Sequence, residues 1–275
     1  MSRVNAIVVS GNGINCEMEM AHALRLSGAD RVDIVNIFSI LEGDVRIEDY
    51  NFINFAGGFL DGDNLGSARA GAVRFKFAKI RGTEERLLDK IIQFIDRGGL
   101  ILGVCNGFQL LVKLGLLPGF DGDYTTQRVT LTFNQSARFE DRWVYLKANR
   151  DSKCVFTRGM DKIYLPVRHG EGRFLVDSDD TLNRLIKDNH IALQYIKQGG
   201  SDYTMDYPDN PNGSILGIAG ICSRDGRIFG LMPHPEAFLH YTNHPRWFRE
   251  KLPEAGDGLK FFKNAVDYLK NINIS

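Results

Sequence analysis

The sequence predicts an α/β fold, with a mostly parallel central sheet covered by helices on both faces and extended by antiparallel strands. Two observations in the first half predict the parallel part: short β-branched apolar runs, and helical patterns that separate them. Such crossovers are needed because consecutive parallel strands cannot be joined by a tight turn. A third observation, a change to β-like segments from about residue 124, predicts the antiparallel extension.

The first half predicts a repeated order of strand, turn and helix. Residues 4–9 form a short apolar run that predicts a buried strand, and residues 17–27 carry helix formers up to Gly28, a residue type that often ends helices. The elements expected after them are strands at 32–38, 52–56 and 100–104 and helices at 84–97 and 106–114. The helix at 84–97 has the clearest pattern, since its apolar residues recur with helical spacing.

The second half predicts mostly strands. The segments with β-like composition are 128–133, 143–147, 163–168, 190–196 and 228–232. Residues 199–214 are rich in Gly, Asp, Asn and Pro and predict a long loop, which at this length often has a function. An amphipathic helix is expected at 259–269. Because no change of composition marks a linker, the sequence predicts one domain over residues 1–275.

The composition is that of an ordinary globular protein of 275 residues, with 43% hydrophobic and 25% charged residues. Thirty-four basic and thirty-four acidic residues cancel, so neither nucleic acid nor an anionic membrane surface is an expected partner. The four cysteines are scattered and form no C-x-x-C pair, which favours reduced thiols. Since the sequence has neither a signal-peptide pattern nor a long apolar span, we expect a cytoplasmic protein.

The sharpest local signal is Gly103-Val-Cys105-Asn-Gly107, at the junction of a predicted strand and a predicted helix. This is the pattern of a nucleophile elbow, with cysteine as the nucleophile. Glycine is needed on both sides because side chains there would collide in so tight a turn. The helix N-terminus favours a thiolate, which is the reactive form of cysteine. The alternative is a buried structural cysteine beside glycines that serve only packing.

A thiolate nucleophile needs a base and an orienting carboxylate near it. His234 follows the predicted strand at 228–232, and Glu236 lies two residues further on. Since ligand sites gather at the carboxyl ends of parallel strands, Cys105 and His234 are expected at the same edge of the sheet. The alternative is a loop histidine beside a chance acid. Cys16 lacks flanking glycines at the elbow positions and is predicted to be a structural or supporting residue.

Two backbone N–H groups are candidates for an oxyanion hole. The elbow supplies that of Asn106, and the turn Gly57-Gly58 brings backbone close to a ligand. No phosphate-binding loop and no complete dinucleotide-binding motif occurs in the sequence, so no ATP site is expected in this chain. His240 and His244 have the spacing of a helical metal pair, but a following proline argues against a regular helix, and we expect no metal site.

Three motifs, taken in order, resemble those of class I glutamine amidotransferases, which use a catalytic triad. They are Gly57-Gly58-Phe59, then Gly103-Val-Cys105-Asn-Gly107-Phe-Gln109, then His234-Pro-Glu236. Further stretches at 166–174, 207–214 and 218–236 are similar to one family within that class, the glutaminase subunits of phosphoribosylformylglycinamidine synthase. The resemblance implies a flavodoxin-like class I glutamine amidotransferase fold and covers the chain from the first strand to about residue 240.

The resemblance also implies roles for the candidate residues. Cys105 attacks the amide carbon of glutamine, His234 transfers protons, and Glu236 orients His234. The N–H groups of Gly58 and Asn106 receive the oxyanion. The residues implied to line the glutamine pocket are Phe59, Gln109, Asn134, Ser136 and Phe139.

His169 and Glu171 belong to the stretch Arg-His-Gly-Glu-Gly and are implied to bind on the substrate side of the same pocket. Their alternative role is that of a polar turn between two strands. The activity implied is hydrolysis of glutamine to glutamate and ammonia, used to make formylglycinamidine ribonucleotide in purine biosynthesis. Two alternatives are a glutaminase that serves another acceptor and a non-catalytic cysteine sensor on the same scaffold.

The implied partners are a large synthetase subunit and a small accessory subunit, since ammonia made here must be used elsewhere. ATP and Mg²⁺ are expected on the synthetase subunit, and no cofactor is expected on this chain. The segment 66–81 has five basic residues and no acidic one, interleaved with Phe75 and Phe77, and is a candidate docking surface. The alternative is a solvated, half-buried amphipathic element.

Overall fold

A computed structural model describes residues 2–272 of the chain. The predicted domain over residues 1–275 extends beyond this range, because Met1 and residues 273–275 lie outside the described residues. Within the described range, no helix combines the length and the apolar character needed to cross a lipid bilayer.

Within residues 2–272, eleven strands form a large sheet and a small one. The strands are β1 (Asn5–Ser10), β2 (Arg31–Asn36), β3 (Phe52–Phe55), β4 (Leu100–Val104), β5 (Val129–Thr132), β6 (Glu140–Ala148), β7 (Lys162–His169), β8 (Arg173–Val176), β9 (Ile191–Ile196), β10 (Ile218–Cys222) and β11 (Ile228–Leu231). The large sheet has the order β2-β1-β3-β4-β11-β10-β9-β6-β7, and β5 pairs with β8 in the small sheet.

The large sheet consists of a parallel half and an antiparallel half. Strands β2, β1, β3, β4 and β11 are parallel neighbours, whereas β10, β9, β6 and β7 are joined to β11 and to one another by antiparallel pairing. Strands β3 and β4 are buried along their whole length, as expected for parallel strands with helices on both faces. The predicted fold class is therefore confirmed.

Seven α-helices in the described part of the chain connect or follow the strands. They are α1 (Glu17–Leu26), α2 (Ile37–Leu41), α3 (Arg69–Phe77), α4 (Leu87–Asp96), α5 (Asn106–Leu114), α6 (Asp179–Lys187) and α7 (Leu259–Asn271). Helix α1 packs against α7, while α3 packs against α4 and α5. Right-handed crossovers explain this division: β2 lies on one side of β1 and β4 lies on the other side of β3, so the connecting helices cover opposite faces.

Two strands lie in places that the sequence pattern does not reveal. Strand β11, which we grouped with the β-like segments of the second half, pairs in parallel with β4. Strand β5 leaves the large sheet and pairs with β8 instead. Both strands have only four residues, and so short a pattern predicts a strand without predicting its partner or direction.

The sequence analysis did not predict β8, β10, α2, α3 or α6, and residues 37–38, which it assigned to a strand, begin α2. Helix α6 carries recognisable signals: the Ser178 hydroxyl accepts a hydrogen bond from the backbone N–H of Thr181, acidic residues occupy its first turn, and basic residues its last. The predicted loop at 199–214 is present, and it ends at a short 3₁₀ turn before β10.

Candidate active site

Cys105 lies in a strained turn between β4 and α5. Its backbone has φ 52° and ψ −105°, which an L-residue adopts only at a cost. A Cβ atom at Gly107 would lie 2.0 Å from the carbonyl oxygen of Phe55, and one at Gly103 would lie 2.7 Å from that of Gly107. Both glycines are therefore required by close backbone packing, which is the steric condition of a nucleophile elbow.

Strands β4 and β11 are parallel neighbours, so their carboxyl ends lie at the same edge of the sheet. Cys105 and His234, the candidate nucleophile and base, follow these two ends. Leu231 lies opposite Val104, so His234 and Cys105 follow neighbouring strands. A Cβ atom at Gly57, which follows β3, would lie 2.8 Å from His234 Cε1 and 3.5 Å from Cys105 Cβ. Three consecutive strands thus deliver their carboxyl ends to one point, as expected for a ligand site in such a sheet.

His234 and Glu236 form a buried hydrogen-bonded pair. Nδ1 of His234 lies 2.6 Å from Oε1 of Glu236, and each side chain is at most 3% exposed. Burial by itself lowers the pKa of His234, but the negative charges of Glu236 and Cys105 outweigh it and raise the pKa well above its ordinary value. Within residues 2–272, Nε2 of His234 is buried without a hydrogen-bond partner. The ring therefore has one nitrogen fixed and the other free.

Cys16 is a second thiol at this site. Its Sγ lies 4.0 Å from Nδ1 of His234 and 3.2 Å from Oδ1 of Asn15, and it precedes α1 at the end of the loop that follows β1. Burial raises the pKa of the Cys16 thiol, and the hydrogen bond to His234 only partly opposes this. Unlike Cys105, it is not flanked by glycines in an elbow. The structure is consistent with a supporting role for Cys16.

The potential metal-ligand atoms of Cys16, His234 and Glu236 lie within 4.8 Å of one another, and metal sites have a similar spacing between their ligand atoms. Two of these donors already face each other in the 2.6 Å contact between Nδ1 and Oε1. This arrangement is that of an orienting carboxylate and its histidine. The absence of a metal site stays a prediction.

The two candidate oxyanion donors are held in place by different contacts. Asn106 accepts a hydrogen bond from the backbone N–H of Leu60 at 3.1 Å and donates one to Oε1 of Gln109 at 3.1 Å. Gly58, with φ 141°, packs so closely that a Cβ atom would lie 2.6 Å from the carbonyl oxygen of Gly13. Within the described part of the chain, no protein group accepts the N–H of Gly58 or of Asn106.

A cavity of about 310 Å³ opens over Cys105, a volume typical of small-molecule sites. The residues lining it that the sequence analysis named are Cys105, His234, Glu236, Gly58, Phe59, Gln109, Phe139, His169, Glu171 and Cys16. The candidate triad and most of the candidate glutamine pocket therefore share one cavity. Their roles in binding glutamine stay predictions.

Two of the candidate pocket residues do not line this cavity. The amide of Asn134 is fully occupied: it donates to the carbonyls of Arg138 and His169 and accepts from the N–H of Gly172. Ser136 is exposed and donates its hydroxyl hydrogen to Glu140 at 2.8 Å. Both belong to the turn after β5, and Asn134 supports the wall of the cavity from behind.

His169 is a neutral, fully buried residue at the end of β7. Nδ1 lies 3.1 Å from Oδ1 of Asn134, and Nε2 lies 3.5 Å from Nδ2 of Asn212. An amide nitrogen is a donor, so Nε2 accepts and Nδ1 carries the proton. Burial, assisted by the positive charge of His234, lowers the pKa of His169 to about 3. The stretches 166–174 and 207–214, which are far apart in sequence, meet at this ring.

Glu171 joins the cavity wall to the loop that precedes α3. Both its carboxylate oxygens accept the backbone N–H of Ser67, at 3.1 and 3.2 Å. Its carbonyl oxygen accepts a hydrogen bond from Nε2 of Gln109 at 2.6 Å. Glu171 thereby connects the stretch after β7 with the helix that follows the elbow.

Sequence reasoning missed other residues of the cavity. They are Asn15, Glu19, Asp63, Ser67, Arg168, Gly170 and Ala237. Most of them follow the carboxyl end of a strand, which is the signal that could have found them. Arg168 is notable because its carbonyl oxygen accepts a hydrogen bond from Sγ of Cys105 at 3.6 Å.

Comparison with known proteins decides the family. Residues 3–269 match the model of the CobB/CobQ-like glutamine amidotransferase domain. The chain is 44% identical over 274 residues to phosphoribosylformylglycinamidine synthase subunit PurQ of Dehalococcoides mccartyi, which covers 99% of this chain and 100% of that protein. The chain belongs to the PurQ family of glutamine amidotransferases. The resemblance noted in the sequence is confirmed.

Two further proteins extend this comparison. PurQ of Methanococcus maripaludis strain S2 is 42% identical over 272 residues, with 95% of this chain and 96% of that protein covered. A chain in the structure of PurLQS from Thermotoga maritima has a TM-score of 0.69 and 29% identity, with 98% of this chain and all of that chain covered. The PurQ fold therefore spans essentially the whole of the described chain.

Proposed function

We propose that this chain hydrolyses glutamine to glutamate and ammonia through Cys105, His234 and Glu236. The ammonia passes to a separate synthetase subunit, which converts formylglycinamide ribonucleotide to formylglycinamidine ribonucleotide in an ATP-dependent step of purine biosynthesis. The observation that carries the proposal is the buried His234–Glu236 pair beside a strained elbow cysteine in one cavity. The membership in the PurQ family favours this acceptor over any other.

The first half of the reaction forms a thioester. The Cys105 thiolate attacks the amide carbon of glutamine, and the N–H groups of Gly58 and Asn106 stabilise the negative charge that develops on the oxygen. Nε2 of His234 then gives a proton to the leaving nitrogen, so that ammonia departs and the glutamyl thioester remains. The raised pKa of His234 favours the protonated ring that this step needs.

The second half releases glutamate. Nε2 of His234, now deprotonated, takes a proton from water as the water attacks the thioester carbon, and the oxyanion again lies at the same two N–H groups. Collapse of this intermediate expels the Cys105 thiolate and restores the protonated His234. Glu236 holds Nδ1 throughout and stabilises the positive charge on the ring.

The reaction on this chain needs only glutamine and water. ATP and Mg²⁺ act on the synthetase subunit, and a small accessory subunit completes the assembly. A non-catalytic thiol sensor has no need of a histidine held at 2.6 Å by a buried carboxylate. This hydrogen bond favours the enzyme.

The test compares Cys105→Ala with Cys16→Ala. We expect Cys105→Ala to lose at least about 10³-fold in glutamate production and to resist labelling by an electrophilic glutamine analogue. Cys16→Ala, a matched change of the neighbouring thiol, should keep hydrolysis within about tenfold and should still be labelled. Undiminished labelling of Cys105→Ala would refute the assignment of the nucleophile.

The acceptor is tested by reconstitution with the synthetase and small subunits. Glutamine should support formation of formylglycinamidine ribonucleotide with the wild-type chain and not with Cys105→Ala. Ammonium chloride should support it equally in both cases, because free ammonia bypasses the thioester. Failure of the wild-type chain with glutamine, when ammonium succeeds, would exclude the proposed partner.

A further inference from the structure

A second concave surface lies behind the active-site cavity. It is an open groove of about 760 Å³, lined by residues 64–66, one side of α3, Lys113 of α5, and β5 with Phe133. We refer to it as the α3 groove. It lies within the basic segment 66–81 and its surroundings, and the proposed chemistry uses none of its exposed side chains.

The α3 groove exposes large apolar side chains. Leu65 is 71% exposed, Val73 53% and Phe133 67%, and Phe77 at the end of α3 is also exposed. A single exposed apolar side chain is ordinary, but several around one groove are typical of a surface that another protein covers. In contrast, Phe75 of the same helix is buried in the core. Helix α3 therefore has one face for the core and another that is unpartnered.

Apart from Glu171, whose buried carboxylate accepts the backbone N–H of Ser67, the charged side chains that line the α3 groove are basic. Of the five basic residues in segment 66–81, three have carboxylate partners within the chain: Arg74 with Asp61, Lys79 with Glu84, and Arg81 with Glu42. Arg69 and Lys76 have no carboxylate partner among residues 2–272, and both line the groove together with Lys113. The complementary surface is an acidic one.

Only one layer of residues separates the groove from the active-site cavity. In the loop that leads to α3, Asp63 and Ser67 line the cavity, whereas residues 64–66 line the groove. Glu171 lines both, and its carboxylate is held by the backbone N–H of Ser67. A protein seated in the groove therefore lies close to the point where ammonia is released.

We propose that the α3 groove is the docking surface for the synthetase subunit, which places an acidic segment with apolar side chains in it. The inference rests on the proposed function, because the subunit that consumes ammonia is the one that needs to lie close to the point where ammonia is released. Arg69 and Lys76 attract the acidic groups, and Leu65, Val73 and Phe133 supply the apolar contact. The three paired basic residues of the segment stabilise the chain itself and do not take part.

The test uses a pair of matched double variants. Val73→Asp with Lys76→Glu alters the α3 groove at two residues that are outside the catalytic machinery. Ile186→Asp with Lys187→Glu makes the same kinds of change on α6, where Ile186 is 49% exposed and Lys187 is also exposed. Since both sites are at the surface, both variants should fold, and equal hydrolysis of glutamine by the isolated chains verifies this.

We expect the α3 variant to bind the synthetase subunit at least tenfold more weakly in calorimetric titrations, and the α6 variant to bind like the wild type. With subunits at fixed concentration, glutamine-dependent formation of formylglycinamidine ribonucleotide should fall in parallel, while ammonium-dependent formation stays unchanged. The milder variant Arg69→Gln with Lys76→Gln should weaken binding less, and the loss should shrink at high salt.

The possible failures can be told apart. If the wild-type chain does not support glutamine-dependent synthesis although ammonium does, the proposed function and the docking surface both fail. If the wild type succeeds and the α3 variant binds and works equally well, only the docking surface is refuted. The same conclusion follows if the α3 variant loses the small subunit and retains the synthetase subunit.

Discussion

The two halves of the large sheet differ in whether their buried polar groups have hydrogen-bond partners. Seven buried side-chain atoms among residues 2–272 have no hydrogen-bond partner, and all belong to the parallel half with its helices and loops. They include Nε2 of His234 and Oε2 of Glu236. In the antiparallel half, the ring of His169 is bonded at both nitrogens by Asn134 and Asn212.

This difference shows which part of the molecule is arranged for chemistry. Three of the seven atoms, on Asp63, His234 and Glu236, belong to residues that line the active-site cavity. Unpartnered buried atoms and a strained backbone such as that of Cys105 cost stability, and a functional site is where such costs are retained. In the network around His169, by contrast, both ring nitrogens already have hydrogen-bond partners, so neither is free to bind a ligand. The antiparallel half therefore builds a rigid wall, and the parallel half presents the reactive groups.

Among the substitutions that test this difference between the two halves, Glu236→Gln is expected to have the largest effect, which is on kcat. The amide keeps the shape but removes the negative charge, so the pKa of His234 falls and the ring binds a proton less readily. We expect kcat for glutamine hydrolysis to fall by about 10²- to 10⁴-fold, with a smaller change in KM. Steady-state kinetics at pH 7 measures both.

The matched control for this change is Glu140→Gln in the antiparallel half. Glu140 is also buried, and its carboxylate bonds Arg142 and Ser136 without reaching the cavity. Its loss should lower the free energy of unfolding and leave kcat within about threefold. Equal losses of kcat in the two variants would contradict the division between the halves.

The parallel half and its site are the parts that the sequence predicts best. Strands β1, β3, β4 and β11 are mostly apolar runs followed by a turn or bend, whereas β2 contains charged residues and leads directly into α2. The glycines at 103 and 107 have one steric explanation. Cys105 and His234 are expected at one edge because parallel strands align their carboxyl ends, although the sequence pattern does not reveal that β11 runs parallel to β4. The site could therefore be predicted from local pattern and one topological rule.

The wall of the cavity could not be predicted in the same way. Asn134 and Ser136 are separated by one residue, and no local signal tells that the amide is buried under His169 while the hydroxyl is exposed. Cys16 lies 218 residues from His234 in the chain, and their contact depends on the packing of the β1 and β3 ends. Such contacts come from tertiary packing, which residue periodicity does not encode.

The next effect concerns the steric requirement of the elbow. In Gly107→Ala, the new Cβ would lie 2.0 Å from the carbonyl oxygen of Phe55, and neither backbone can move without disturbing β3 or α5. We expect a loss of more than about 3 kcal/mol in the free energy of unfolding, because a rigid core cannot absorb the overlap. Urea denaturation followed by circular dichroism measures this loss.

Gly82→Ala is the control for that experiment. Gly82 has a positive φ, of 77°, which Gly107 does not have, but a Cβ atom there meets nothing within 4 Å. The free energy of unfolding of this variant should therefore fall only by the cost of backbone strain, about 1 to 2 kcal/mol. If Gly107→Ala were no more harmful than Gly82→Ala, the close packing of the elbow against β3 would not be what requires glycine.

The smallest expected effect is on the pH dependence of the free energy of unfolding. It tests the hydrogen-bonded network around His169. Because the pKa of His169 in the folded chain is about 3, below that of an unfolded chain near 6.5, the unfolded state binds more protons between these values. Wild-type stability from this group is complete above pH 6.5 and declines as the pH falls toward 3. His169→Gln cannot titrate, so its deficit relative to the wild type, about 1 to 3 kcal/mol at pH 7, should shrink by up to about 1.4 kcal/mol for each pH unit below 6.5.

Urea unfolding of both proteins at pH 7.0, 6.0 and 5.0 measures this difference, and all other titrating groups are common to the two chains. A difference that stays constant over the range would mean that His169 is not held neutral by its burial between Asn134 and Asn212. A difference that grows as the pH falls would give His169 the opposite preference, for the protonated ring. The wall of the cavity would then be a charged structure like the His234 side of the site, and the contrast between the two halves of the sheet would not hold.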